Sequence, residues 1–239
     1  MTGLGTVVNV VAIVLGGIAG LVLGDRISEG IRRTIGQAFG LVTAAVAIVG
    51  LEPLGDDDAG LRRFAILIGA LVAGAACGEA LRLEERFHAL AAALQRRAPD
   101  RRDERSFADG FVVATTVFCV GPLAVLGAVE EGLGAGFRLL AVKAALDGIS
   151  ATGFASVYGR GVIASAGVVA LYQGALTVAA ELVSPVLTDE VVEQLGATGS
   201  LLVLGVALTL LDVARIRVVS LLPSLAFAVA GAAIFDALG

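Results

Sequence analysis

The feature that most constrains this chain is a series of apolar blocks, each about 17 to 24 residues long, that recurs from one end to the other. At 1.5 Å of rise per residue, a helix of that length covers a hydrocarbon core about 30 Å thick. Eight such blocks stand out, near 4–24, 36–54, 64–81, 107–129, 137–158, 161–183, 196–212 and 217–237. The expected fold class is all-α, a polytopic membrane helix bundle with about 8 transmembrane helices. A soluble fold is excluded by composition. With 57% hydrophobic and 16% charged residues and a mean hydropathy of +0.93, too little polar surface exists to coat a globule. The first block begins almost at Met1 without a basic lead-in, so it reads as a retained span rather than a cleaved leader.

Charge placement predicts orientation. With eight spans, the loops on one side hold Arg26, Arg32, Arg33, Arg82, Arg86, Arg96, Arg97, Arg101, Arg102, Arg105, Arg160, Arg215 and Arg217. The other side holds Arg62, Arg63 and Arg138 beside Asp56, Asp57, Asp58, Glu130, Glu131, Asp189, Glu190 and Glu193. The positive-inside rule then puts both termini outside. The net charge of −5 gives no support to a nucleic-acid partner. Membrane lipids are the expected partners, and a homo-oligomer is left open.

The break at 82–106 repeats Leu83, Phe87, Leu90 and Leu94 at helical spacing until Pro99 stops the pattern. It reads as a cytoplasmic amphipathic helix, either lying on the anionic inner leaflet or serving as a solvated linker. His88, the single histidine, reads as a surface residue there. The layouts of 1–82 and 161–239 match better than their letters. They suggest two three-helix repeats of opposite direction flanking central helices within 107–158, an architecture transporters use to place substrate at the repeat interface.

Candidate chemistry lies inside the spans. Lys143 and Asp147 share one face of the fifth span, four residues apart, where an ion pair can form. A charge at the bilayer centre costs at least about 2.5–3.5 kcal/mol, so such residues pair or line a polar cavity. Lys143 is the only lysine among 17 basic residues, which points to a need for a compact ammonium. The other reading is a buried pair that fixes helix register. Ser150 continues the same face. In the fourth span, Thr115, Thr116 and Cys119 precede Gly121-Pro122, which should kink or break the helix and free backbone groups at membrane depth. Tyr172 and Gln173 sit at the middle of the sixth span, and Asn9 lies one turn off-centre in the first. Each of these alone reads as an interhelical hydrogen-bonding group; together with Asp147 they suggest one midplane substrate- or ion-binding site. Cys77 and Cys119 read as small apolar residues without a disulfide. The spacings Gly16, Gly20, Gly24 and Gly36, Gly40 read as close helix packing. No metal or cofactor is expected.

The stretches Gly5-Thr6-Val7-Val8-Asn9, Gly16-Gly17, Asp109-Gly110-Phe111, Cys119-Val120-Gly121-Pro122, Lys143-Ala144-Ala145-Leu146-Asp147-Gly148 and Tyr172-Gln173-Gly174-Ala175 resemble the YdfK/YqgA family of bacterial inner-membrane proteins. That family is catalogued as a domain of unknown function and provisionally labelled as transporters. The resemblance spans essentially the whole chain and implies the bacterial inner membrane as location. The functional expectation is a secondary transporter for a small polar solute or ion, with Asp147 responding to a proton or cation and Lys143 as its partner. The alternatives are a channel or a membrane scaffold. An enzyme is not expected, because HExxH and GxSxG are absent from the sequence.

Overall fold

The structure, a computed structural model, describes residues 3–55, 58–97 and 104–238, which are helical with no strand among them. The helices are α1 (Leu4–Gly24), α2 (Glu29–Val49), α3 (Asp58–Ala80), α4 (Leu83–Arg97), α5 (Glu104–Val120), α6 (Pro122–Gly132), α7 (Arg138–Tyr158), α8 (Gly161–Val178), α9 (Ala180–Val183), α10 (Asp189–Leu210), α11 (Val218–Leu221) and α12 (Ser224–Leu238). Six segments are long and apolar enough to cross a membrane: α1, α3, α7, α8, α10, and 218–236 taken together. The pair α5 and α6 makes a seventh, bent by 58° at Gly121. Pro122 has no N–H to give the preceding turn, so the helix stops at Val120 and restarts in a new direction. The span expected at 36–54 falls on α2, which carries Glu29, Arg32 and Arg33 in its first turns, ends at Val49 and is not among the helices long and apolar enough to cross. Pro99, Arg101, Arg102, Asp56 and Asp57 lie outside the described residues.

The chain clusters into two compact units whose boundaries differ from those of the expected repeats. The first contains residues 1–39, 87–119 and 123–183; the second contains 40–86, 120–122 and 184–239.

In the first unit α1 and α7 run the same way. Gly5 meets Leu140, Gly16 meets the Gly148 carbonyl, and Gly20 meets the Thr152 carbonyl. A Cβ at Gly16 or Gly20 would collide with backbone, so glycine is what allows this approach. α8 runs opposite to α1, with Gly17 against Ile163. α5 and α6 follow the direction of α8: Gly161 meets Phe107, and Gly132 meets Thr177. The start of α2 runs opposite to α7, with Gly36 against Val157 and the Phe39 ring against Gly153.

α4 differs from its expected place on lipid. Phe87 and Leu94 pack with buried Ala91 onto Phe107, Phe111, Ala164 and Val168, and the Phe87 and Phe111 rings are 6.1 Å apart. The aromatic surface at the start of α5 gives this helix a protein partner. Leu90, also expected on the apolar face, stays exposed.

In the second unit α3 runs opposite to α11 and α12, with Gly78 against Ser220, Gly74 against Ser224, and Ile66 against Gly231. The later half of α2 runs opposite to α10, with Gly40 against Leu211 and Gly50 against Ser200. The Thr188 side chain accepts from the Val191 N–H to cap α10, and Asp189 and Glu190 complement the dipole of its first turn. Arg63 closes the same end by pairing with Glu190 at 2.8 Å and Glu193 at 2.5 Å.

Candidate functional site

Three helices of the first unit converge on Asp147. On α7, Lys143 lies one turn before it, and its Nζ donates to Asp147 Oδ2 at 2.7 Å. From α1, Asn9 Nδ2 donates to the same oxygen at 3.0 Å. Asn9 Nδ2 also donates to Gln173 Oε1 of α8 at 3.2 Å. Asn9 and Gln173 are 0% exposed, Lys143 5% and Asp147 6%.

The local sequence accounts for this convergence. The four-residue spacing stacks Lys143 over Asp147, and the glycine contacts bring α1 close enough for the short Asn9 side chain to reach α7. The Asn9 amide orientation follows from chemistry, since the reverse would set its Oδ1 against two oxygens. That leaves Asn9 Oδ1 and Gln173 Nε2 buried without protein partners. The site therefore presents one free acceptor and one free donor beside a compensated pair of charges. Such a pair can exchange a proton at the carboxylate. It can also admit a cation in place of the ammonium, because Lys143 is a flexible point charge.

The remaining expected residues divide into two groups. Cys119 of α5 is half-buried, near enough to Lys143 and Asp147 for their charges to act on its thiol, and Tyr172 of α8 is within electrostatic reach of Cys119. Thr115, one turn before Cys119, is buried with its hydroxyl unpartnered. Thr116 instead returns its hydroxyl to the Val112 carbonyl at 2.9 Å, a local bond that leaves it outside the cluster. Ser150 is half-buried and joins no hydrogen bond of the cluster among the described residues.

One residue the sequence reading assigned to an exposed acidic turn belongs to the interior. Glu131, at the end of α6, is 3% exposed and accepts from the Gly5 N–H at 2.5 Å and the Thr6 N–H at 3.4 Å. The Thr6 hydroxyl donates to it at 3.5 Å. It thus supplies acceptors to the open first turn of α1, where a carboxylate is favoured by the helix dipole. Among the described residues no group of three or more His, Cys, Asp or Glu side chains could hold a metal ion.

The chain is 29% identical over 228 residues to the uncharacterized protein YqgA of Escherichia coli, covering 94% of each. It is 28% identical over 222 residues to the uncharacterized membrane protein YdfK of Bacillus subtilis, covering 92% of each. No solved structure matches. The family described as "Protein of unknown function (DUF554)" matches residues 4–233, which include Asn9, Glu131, Lys143, Asp147 and Gln173. With its apolar helices and a relative named as a membrane protein, the chain is a membrane protein that belongs to the DUF554 family.

Proposed function

We propose that this protein is a secondary transporter, moving a small polar solute or ion across a bacterial inner membrane by way of Asp147, Lys143, Asn9 and Gln173. The observation that carries the reading is a buried ion pair inside a membrane-spanning helix, bonded by the Asn9 amide of a second helix, which also bonds Gln173 of a third, with one amide oxygen and one amide nitrogen left unpartnered. Unpartnered buried amide atoms cost about 1–3 kcal/mol each, and two of them, one acceptor and one donor, stand beside the buried ion pair where a polar ligand could engage both. In this reading Asp147 takes the coupling proton or cation and Lys143 compensates its charge when it is empty. No enzymatic step is proposed.

The test is flux in proteoliposomes loaded with the pH dye pyranine. Imposed sodium, potassium or pH gradients are combined with a panel of small amino and carboxylic acids. Wild-type protein is expected to give a gradient-driven response, and Asp147→Asn to lower it at least about ten-fold while remaining monodisperse. Undiminished flux in Asp147→Asn would remove Asp147 from the site.

Helix direction supports eight crossings with both termini outside. Because α1 and α7 run the same way, an odd number of crossings separates them. α3 and the bent α5–α6 pair supply two, so α2 supplies the third. The arginine distribution then puts α4 in the cytoplasm. Reporter fusions after residue 95 and at residue 239 are expected to report opposite sides. The same side for both would overturn the eight-span topology.

A second reading, a structural ion pair in a scaffold, is favoured by one observation: Lys143 and Asp147 already satisfy each other at 2.7 Å.

A further inference from the structure

In the second unit α3 and α10 leave a groove of about 430 Å³ between them, lined by Leu71 and Ala75 of α3, Leu201, Leu204 and Leu208 of α10, and Ile216 of the loop beyond. Every side chain lining it is apolar, so the groove offers nothing to orient a polar solute. Its length sets its place in the membrane. Leu71 lies nine residues before the end of α3 at Ala80, and Leu201 nine before the end of α10 at Leu210, a rise of about 14 Å in each case. Half of a hydrocarbon core about 30 Å thick is about 15 Å, so the groove runs from one membrane surface to near the midplane, the depth of a single leaflet. A volume of 430 Å³ over about 14 Å gives a cross-section of about 30 Å². That is room for one extended hydrocarbon chain and well short of the roughly 80 Å² of a helix about 10 Å across.

The surface end of the groove carries charge. Arg217 pairs with Glu79 of α3 at 2.9 Å, which ties the loop after α10 to the end of α3 where Ile216 closes the groove. Arg215, on the other side of Ile216 in the chain, is exposed and has no hydrogen bond or ion pair among the described residues. Of the acids at this end, Glu79 is taken by Arg217, and the exposed Asp212, held at φ 55, forms no ion pair with Arg215. An unneutralised guanidinium at the mouth of an apolar slot one leaflet deep matches an amphiphile with an anionic head and a hydrocarbon tail. Arginine also presents the two-pronged donor fork that phosphate oxygens accept best.

We propose that this groove binds one anionic phospholipid, with an acyl chain laid along Leu71, Ala75, Leu201 and Leu208 and the phosphate at Arg215. The assignment is independent of transport through Asp147. Because the chain has no tryptophan, a single introduced Trp reports on its own surroundings alone. Val72→Trp, at the exposed rim of the groove, is placed in bilayers in which dibrominated phosphatidylglycerol or dibrominated phosphatidylcholine quenches the indole on contact. Competition between the two lipids is expected to favour phosphatidylglycerol about five-fold, the contribution of one arginine meeting an anionic headgroup. Val46→Trp, exposed on α2 away from the groove lining, is expected to show no preference. Adding Arg215→Gln to Val72→Trp is expected to bring the preference down to that seen at Val46. Equal preference at Val72 and Val46 overturns the proposal, since it describes ordinary boundary lipid, and so does a preference undiminished in Arg215→Gln. Failure of both lipids to quench Val72→Trp, together with a dimer mass in native mass spectrometry, would give the groove to a second copy of the chain and overturn it as well. If Val72→Trp fails to fold, thermal unfolding of the unsubstituted protein decides. Phosphatidylglycerol is then expected to raise Tm more than phosphatidylcholine of the same chains, with the difference lost in Arg215→Gln, and equal Tm values overturn the proposal.

Discussion

The two units bury polar groups of different kinds. The first encloses charge: Lys143, Asp147 and Glu131, with Asn9, Gln173, Thr115 and Thr177 around them. The buried polar groups of the second are neutral, among them Gln194, Thr198, Ser220 and Ser224. Its ionic residues Arg62, Arg63, Glu190 and Glu193 pair near the starts of α3 and α10, where water is within reach, and Glu79 with Arg217 pairs in the open at 2.9 Å. Hydroxyls such as Ser220 and Ser224 sit where α3 offers Gly78 and Gly74, so small size explains their presence without any chemistry. Burying charge in a membrane is far more costly than burying a hydroxyl, which is why the proposed site is sought in the first unit.

The contrast breaks most sharply at the ion pair. Lys143→Leu or Asp147→Leu alone is expected to destabilise the protein by about 3–5 kcal/mol, because each strands a buried charge. The double variant is expected to recover most of that loss, read as thermal unfolding in detergent, and to carry no flux. A double variant with normal flux would make the pair structural and remove the distinction between the units. The smaller effect belongs to the second unit. Gln194 is buried, donates only a 3.4 Å bond to Thr198 and leaves its Oε1 unpartnered. Gln194→Leu is expected to change stability by less than about 1 kcal/mol and to leave flux unchanged, since replacing a poorly paired amide with a similar apolar volume is close to neutral. Loss of flux in that variant would extend the functional site to the second unit.

The helices were largely legible in the sequence because hydropathy is a local property. The blocks 4–24 and 137–158 match α1 and α7 within a residue, and Pro122 announced the break between α5 and α6. The Lys143–Asp147 contact was legible for the same reason, being a four-residue helical spacing. Asn9 and Gln173 could be picked out as polar residues in apolar helices. That Asn9 meets both Asp147 and Gln173 depends on pairings across 138 and 164 residues, which no local pattern encodes. Glu131 was hidden in plain view. At the end of an apolar run beside another glutamate it reads like any interfacial acid, and only the arrival of Gly5 and Thr6, 126 and 125 residues away, buries it. The apolar face of α4 was visible, but whether lipid or protein covers it depends on Phe107 and Phe111, which lie beyond the described part of the linker.

The backbone contacts of Gly16 and Gly20 with α7 have a mechanical consequence. With no side chains between them, these stretches of α1 and α7 have nothing to slide on and must travel as one piece. Gly5 adds a third close contact, with Leu140, so the length of α1 from Gly5 to Gly20, about 22 Å, is fastened along α7. Asn9 lies within that fastened length, which keeps its amide in register with Asp147.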